Sequence, residues 1–182
     1  MAYPVVDSAE KKMKNAVEHF KEELTSVRTG MASAAMLNGV NVNYYGSPTP
    51  LNQIASIKVE EGRTLLIKPY DPSSLKDIEK AVNVADLGIA PQNDGSVIRL
   101  AVPKMTEDTR KQMVKKVSKM GEEAKVAVRN IRRDANATIK NDKTMDEDLQ
   151  KDAQNEIQKL TDKTIKQIDE IADKKSKEVL GK

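Results

Sequence analysis

Cysteine is absent from this 182-residue chain. Disulfides, iron–sulfur clusters, zinc knuckles and thiol catalysis are thereby excluded, and a reducing compartment fits. Tryptophan is absent too, and one Phe and four Tyr are the only aromatics. Single-stranded bases would find almost nothing to stack on, and any core must be aliphatic. The one histidine, His19, has no cysteine or second histidine to join it, so it reads as a helix-surface residue. No run approaches the ~18 apolar residues of a membrane span, and MAYPVVDSAEKKMKN lacks the basic-then-apolar order of a signal peptide. No glycine-rich loop has phosphate-cradling spacing, and no group of side chains meets the geometric demands of catalysis. The expectation is a cytoplasmic protein that is not an enzyme and holds no cofactor or metal.

Apolar residues are also scarce, at 38% against 32% charged. That balance points to an elongated shape with much surface per buried side chain. The net charge of +3 is unevenly spread: residues 104–143 hold twelve Lys/Arg against six Asp/Glu, whereas 1–30, 31–103 and 144–182 are close to neutral. A local excess of this kind points to an anionic partner.

Three segments have helical periodicity. In the first, Ala9, Met13, Ala16, Phe20, Leu24, Val27 and Met31 form one apolar stripe, with Asp7 and Glu10 as a capping box and Gly30 near the end. In the second, Met113, Val117, Met120, Ala124, Ala127 and Ile131 make a heptad-like seam after a Thr106 cap. In the third, Leu149, Ala153, Ile157, Leu160, Thr164, Ile168 and Ile171 recur after the break at NDKTMDED. The last two helices would each run about 50 Å and the first nearer 35 Å. Narrow stripes of this length are unstable alone, so a three-helix bundle is expected.

Residues 31–103 read as a small α+β domain. Asn41–Tyr45, Ser56–Glu60, Thr64–Pro69 and Val97–Val102 are predicted strands, Glu61-Gly62 a turn, and Ser74–Asp86 a short helix capped by Gly88. The fold class is therefore α+β: an elongated bundle from 1–30 and 104–182, interrupted by the insert. The chain crosses between them near Gly30 and Pro103, which together would form a hinge. The string NYYGSPTPL, with Tyr44 and Tyr45 adjacent before two prolines, reads as a stiff turn that either buries one tyrosine or contacts a protein.

Within the second helix, VAVRNIRRDAN places Arg129, Arg132 and Arg133 beside Lys125 and Asn136 within an arc of about 100°. Lys111 and Lys140 share that face, and the apolar seam lies roughly opposite. A solvated face with pairs to Glu122 and Asp134 is one reading. The other is an outward row of arginines that fork onto phosphates, which lysine cannot do. Structured RNA or DNA is the favoured partner class, with a coiled-coil scaffold as the alternative of a different kind.

The strings SVRTGMAS (26–33), NYYGSPTPLNQIAS (43–56), ADLGIAPQNDGSVIRL (85–100), VPKMTEDTRK (102–111), VAVRNIRRDAN (126–136) and LTDKTIKQID (160–169) resemble bacterial ribosome recycling factors end to end. The resemblance implies a long three-helix bundle with a small β/α/β domain, an L of roughly transfer-RNA outline. It implies a monomer that enters the post-termination ribosome at the subunit interface and touches large-subunit ribosomal RNA. Elongation factor G would then use GTP to drive the subunits apart, freeing mRNA and tRNA. Arg110, Arg129 and Arg132 match the family's RNA-contacting arginines, and Arg28 lies in a motif near the hinge. Two departures stand out. Met31 replaces the usual arginine of RTGRA, and Thr109 replaces the first of an arginine pair. Both would shift more of the RNA grip onto Arg129, Arg132 and Arg133.

Overall fold

The computed structural model describes residues 3–182. In chain order the elements are α1 (Pro4–Leu24), β1 (Asn41–Tyr44), β2 (Ser47–Pro50), α2 (Leu51–Ile54), β3 (Ala55–Glu60), β4 (Thr64–Pro69), α3 (Leu75–Val84), β5 (Gln92–Asn93), β6 (Ile98–Ala101), α4 (Glu107–Asn141) and α5 (Glu147–Leu180). The chain divides into two compact units: Met1–Val27 with Glu107–Lys182, and Arg28–Thr106. The architecture is α+β, with long helices in one unit and a small sheet in the other.

The helical unit packs α1, α4 and α5 around an aliphatic core. The pairing of α4 with α5 is antiparallel, because Lys125 meets Asp169 while Arg132, further along, meets Gln158. Their buried positions correct the expected heptad. In α4 the fully buried valines and isoleucine are Val117, Val128 and Ile139; in α5 they are Ile157, Ile168 and Val179. Both series step by eleven residues. Ala127, assigned to the seam by spacing, is exposed, and its neighbour Val128 takes the core position. Seven residues fall about 20° short of two turns and eleven overshoot three turns by about 20°, so over a helix of this length the eleven-residue spacing drifts less than a strict heptad.

Phe20, the only phenylalanine, is buried in this core beside Gly121 of α4. A Cβ at Gly121 would lie 3.8 Å from the Phe20 ring and 3.5 Å from the Ala172 methyl. Both are ordinary contact distances, so an alanine would fit there and gain roughly the 1 kcal/mol that glycine costs within a helix. Thr161 and Thr164 are buried polar groups, each donating its hydroxyl to the carbonyl four residues back, so neither is left unsatisfied.

The start of α1 departs from the expected capping box. Pro4 occupies the first turn after an extended Tyr3, and Asp7 lies inside the helix rather than before it. Proline has no N–H to leave unpaired there, and Asp7 instead complements the positive end of the dipole. Tyr3 is buried, and its hydroxyl donates to Asp152 Oδ2 at 2.8 Å, tying the start of α1 to α5. Gly30 does not cap α1: the helix stops at Leu24, where the Thr25 and Ser26 hydroxyls take the carbonyls of Glu22 and Glu23. Met31, placed by spacing on the stripe, is 55% exposed.

The second unit holds an antiparallel sheet in the order β3-β4-β6-β5. Period-two alternation buries Leu65 and Ile67 of β4 and Ile98 and Leu100 of β6, and Ile78 and Val82 of α3 join the same core. The predicted elements here lie within one or two residues of those observed, with two exceptions. Gly88 does not cap α3, which ends at Val84 with Ala85 as its C-cap. NYYGSPTPL is a hairpin rather than a stiff turn: Tyr44 pairs with Ser47 across Tyr45 and Gly46, at φ 48° and 82°. Two positive φ values match the twist of a two-residue hairpin loop. Pro48 and Pro50 are tolerated because β2 pairs on one side only.

Candidate nucleic-acid interface

The outer face of α4 is set by the packing of its inner one. With Val117, Val128 and Ile139 turned into the core, the outer side carries Arg129, Arg133 and Lys140 exposed, and Arg132 and Asn136 lie half-buried between that side and the core. Together with Asn130 and Ala137 these residues line an open depression of about 460 Å³. Among the described residues, no carboxylate lies within ion-pair distance of Arg129, Arg132 or Arg133. Asp134, a candidate partner by spacing, takes none of them. Three guanidinium groups within five residues thus keep their full charge.

Lys125 differs from these three, and its pairing with Glu122 follows the solvated-face reading. Its ammonium lies 2.6 Å from Glu122 and 2.9 Å from Asp169, and 14% of its side chain is exposed. Hydrogen bonds to Glu122 and then Asp169 raise its pKa above the ordinary lysine value, against the opposing effect of burial. Lys125 therefore fastens α4 to α5, and its charge is spent on its own molecule.

Arg132 also reaches across to α5, but to a neutral group: Nη1 donates to Gln158 Oε1 at 2.8 Å. Its Nε and the Asn136 Oδ1, one turn on, are both buried without a partner. Such atoms are costly to leave unpaired. They sit on residues that line the depression.

The remaining predicted residues lie elsewhere. Lys111 is exposed and shares the face of Arg129, five turns and roughly 27 Å away. Arg110, beside it, is half-buried with an unpartnered Nε, and its guanidinium approaches Gly181 at the end of α5. The last carbonyls of a helix carry partial negative charge, so Arg110 is placed to complement them. Arg28 belongs to the second unit, exposed, with its guanidinium against Gly88. Gly30, at φ 74°, lies against Met105.

Tyr44 and Tyr45 also lie in the second unit, edge to face with ring centroids 4.6 Å apart. Tyr44 is half-buried against the core, whereas Tyr45 is 81% exposed. The Tyr45 hydroxyl donates to Asp71 Oδ2 at 2.8 Å, and the Ser73 hydroxyl and N–H donate to Oδ1. The Ser73 hydroxyl first, then Tyr45, hold the Asp71 carboxyl below the usual range. The exposed ring is thus held rigidly beside a cleft of about 290 Å³ lined also by Ser73, Ser74 and Asp77.

Sequence reasoning missed Gln158 and Asp162. Their i, i+4 spacing on α5 was visible, but only the register between α4 and α5 puts them beside Arg132. Among the described residues no helix is long and apolar enough to cross a membrane.

A sequence model of the family "Ribosome recycling factor" matches residues 20–180. A ribosome-recycling factor of Desulfatibacillum aliphaticivorans is 51% identical over 179 residues, 97% of each chain. One from Streptococcus pyogenes serotype M28 is 50% identical over 184 residues, covering both chains entirely. Among solved structures, the solution structure of a ribosome recycling factor matches with a TM-score of 0.84 and 38% identity over 100% of both chains. A T. thermophilus ribosome recycling factor, described with E. coli elongation factor G on the E. coli post-termination complex, matches with a TM-score of 0.65 and 39% identity over 97% of both.

Proposed function

This chain belongs to the ribosome recycling factor family, a family of translation factors rather than enzymes, and from that premise we propose how its own residues carry out recycling. The chain enters the post-termination ribosome between the subunits. The outer face of α4 grips large-subunit ribosomal RNA through phosphates, with Arg129, Arg132 and Arg133 as the central contacts and Arg110 and Lys111 extending the row toward the helix start. Arg28 adds a contact from the second unit. Lys125 is left out of this set because Glu122 and Asp169 already neutralise it.

The observation that carries the reading is the group of three guanidiniums on one helix face with no carboxylate partner among the described residues. A solvated surface would mix the signs, as the rest of this molecule does. Helices of 35 and 34 residues give a rod of about 50 Å, long enough to act as a wedge.

Elongation factor G supplies the drive and uses the GTP; the chain works as a monomer in the cytoplasm with no cofactor of its own. The second unit is the lever on which the motor pushes, through the rigid Tyr44–Tyr45 corner, and the crossings at Gly30 and Pro103 are the hinge. The test is a splitting assay on post-termination ribosomes. Subunits separate only when the chain, elongation factor G and GTP are all present; separation without the motor would refute the division of labour. A crosslink between the Gly30 and Pro103 positions leaves binding intact and blocks splitting, and normal splitting would remove the hinge. Binding to duplex DNA as tight as to ribosomes at matched salt would favour a DNA-architectural protein instead.

A further inference from the structure

Lys125 and Arg132 of α4 both reach side chains of α5, and they meet opposite chemistry. Lys125 finds two carboxylates. Arg132 finds the amide of Gln158, whose oxygen accepts from Nη1 at 2.8 Å. An amide oxygen holds a guanidinium in place without cancelling its charge. Glutamine also carries an NH₂ group, which would repel an arginine if the amide turned round. Asp162 settles which end faces inward. Its carboxylate can only accept, and it takes Gln158 Nε2 at 2.8 Å, so the oxygen is presented to Arg132. Asp162 itself lies beyond ion-pair distance of Arg132 among the described contacts. Negative charge is used to orient the amide and is kept one side chain away from the cation.

We propose that Gln158 is a positioning residue for Arg132, latched in its working orientation by Asp162, so that the guanidinium is ordered before RNA arrives and still fully charged when it does. The inference rests on the RNA-gripping reading of α4. With Nη1 held by Gln158 and Nε covered, Nη2 makes no hydrogen bond among the described residues and is the edge left for a phosphate oxygen. An arginine fixed in advance loses less side-chain freedom on binding than one that must be captured from solution.

The experiment is a salt titration of binding to vacant ribosomes with the full chain, using Gln158→Ala, Gln158→Glu and Arg132→Ala, and the first two again in the Arg132→Ala background. Gln158→Ala weakens binding by about two- to tenfold at every salt concentration with the salt slope unchanged, because the charge remains and only its order is lost. Gln158→Glu lowers the slope by about 0.7–0.9, as Arg132→Ala does, because a carboxylate now neutralises the guanidinium. Once Arg132 is gone, Gln158→Ala has no further effect. A Gln158→Ala loss of the same size with and without Arg132, or no loss at all, would overturn the positioning role. Unchanged binding by Arg132→Ala would instead overturn the RNA reading beneath it. Gln158 is exposed, so the variants fold, as circular dichroism will verify. A second readout needs no ribosome: in NMR, rotation of the Arg132 guanidinium is hindered in the parent and speeds up in Gln158→Ala; equal rates would refute the latch.

Discussion

Replacing Arg133 by alanine removes an exposed guanidinium that no carboxylate of the molecule neutralises. Replacing Lys125 by alanine, two turns earlier on the same helix, removes a cation already paired twice. The two variants lose the same formal charge, yet the structure makes them unequal. Each phosphate contact contributes roughly 0.7–0.9 to the logarithmic salt slope. Arg133→Ala should therefore flatten the slope by that amount. The corresponding loss of ribosome affinity is about five- to eightfold near 0.1 M salt and about two- to threefold near 0.3 M. Lys125→Ala should leave the slope unchanged. Its cost falls on stability instead, at up to about 1 kcal/mol, since Glu122 and Asp169 are both well exposed and solvent screens the pair. The assay is ribosome binding across a salt series, with urea unfolding in parallel. Equal slope changes for the two variants would mean that total charge, not pairing, governs the interaction, and the account of the α4 face would fail.

The eleven-residue core spacing predicts that Val128→Ala costs roughly 1–3 kcal/mol in urea unfolding, while Ala127→Lys stays within about 0.5 kcal/mol; the reverse order would restore the heptad. Tyr3 offers a pH test. Its hydrogen bond to Asp152 pushes its pKa up to about 12, from an ordinary value near 10. A raised pKa contributes stability that is complete below about pH 10 and is lost as pH climbs toward 12. The gap in urea midpoint between the parent and Tyr3→Phe should be constant up to about pH 9.5 and close above it; a constant gap to pH 12 would refute the assignment. Tyr45→Ala should leave the ribosome salt slope intact and slow splitting with elongation factor G, and unaltered splitting would remove that corner from the motor contact.

The long helices and the strands β1, β3, β4 and β6 were legible because each follows a local rule, whereas β2, α2 and β5 were not. Alternation marked β4 and β6, and helical stripes marked α1, α4 and α5. The ends were less legible. Asp7 and Gly30 carry capping chemistry, but Pro4 starts α1 earlier and Thr25 and Ser26 end it sooner. The hairpin in NYYGSPTPL was hidden by its prolines, which only an unpaired strand edge accommodates. At the site, the charge excess of 104–143 and the arc holding Arg129, Arg132 and Arg133 were both readable in the residues. That Lys125 does not belong with them was not.

The sequence alone determined which face of each helix is apolar and which is cationic, because those properties repeat along a single helix and depend on neighbours three or four residues away. The tertiary structure decided which cations remain free. Asp169 and Gln158 are 44 and 26 residues from the side chains they meet, and only the antiparallel register of α4 on α5 gives Lys125 its second carboxylate and Arg132 a neutral amide. Charge is a property of the residue, but its availability depends on what the fold sets beside it.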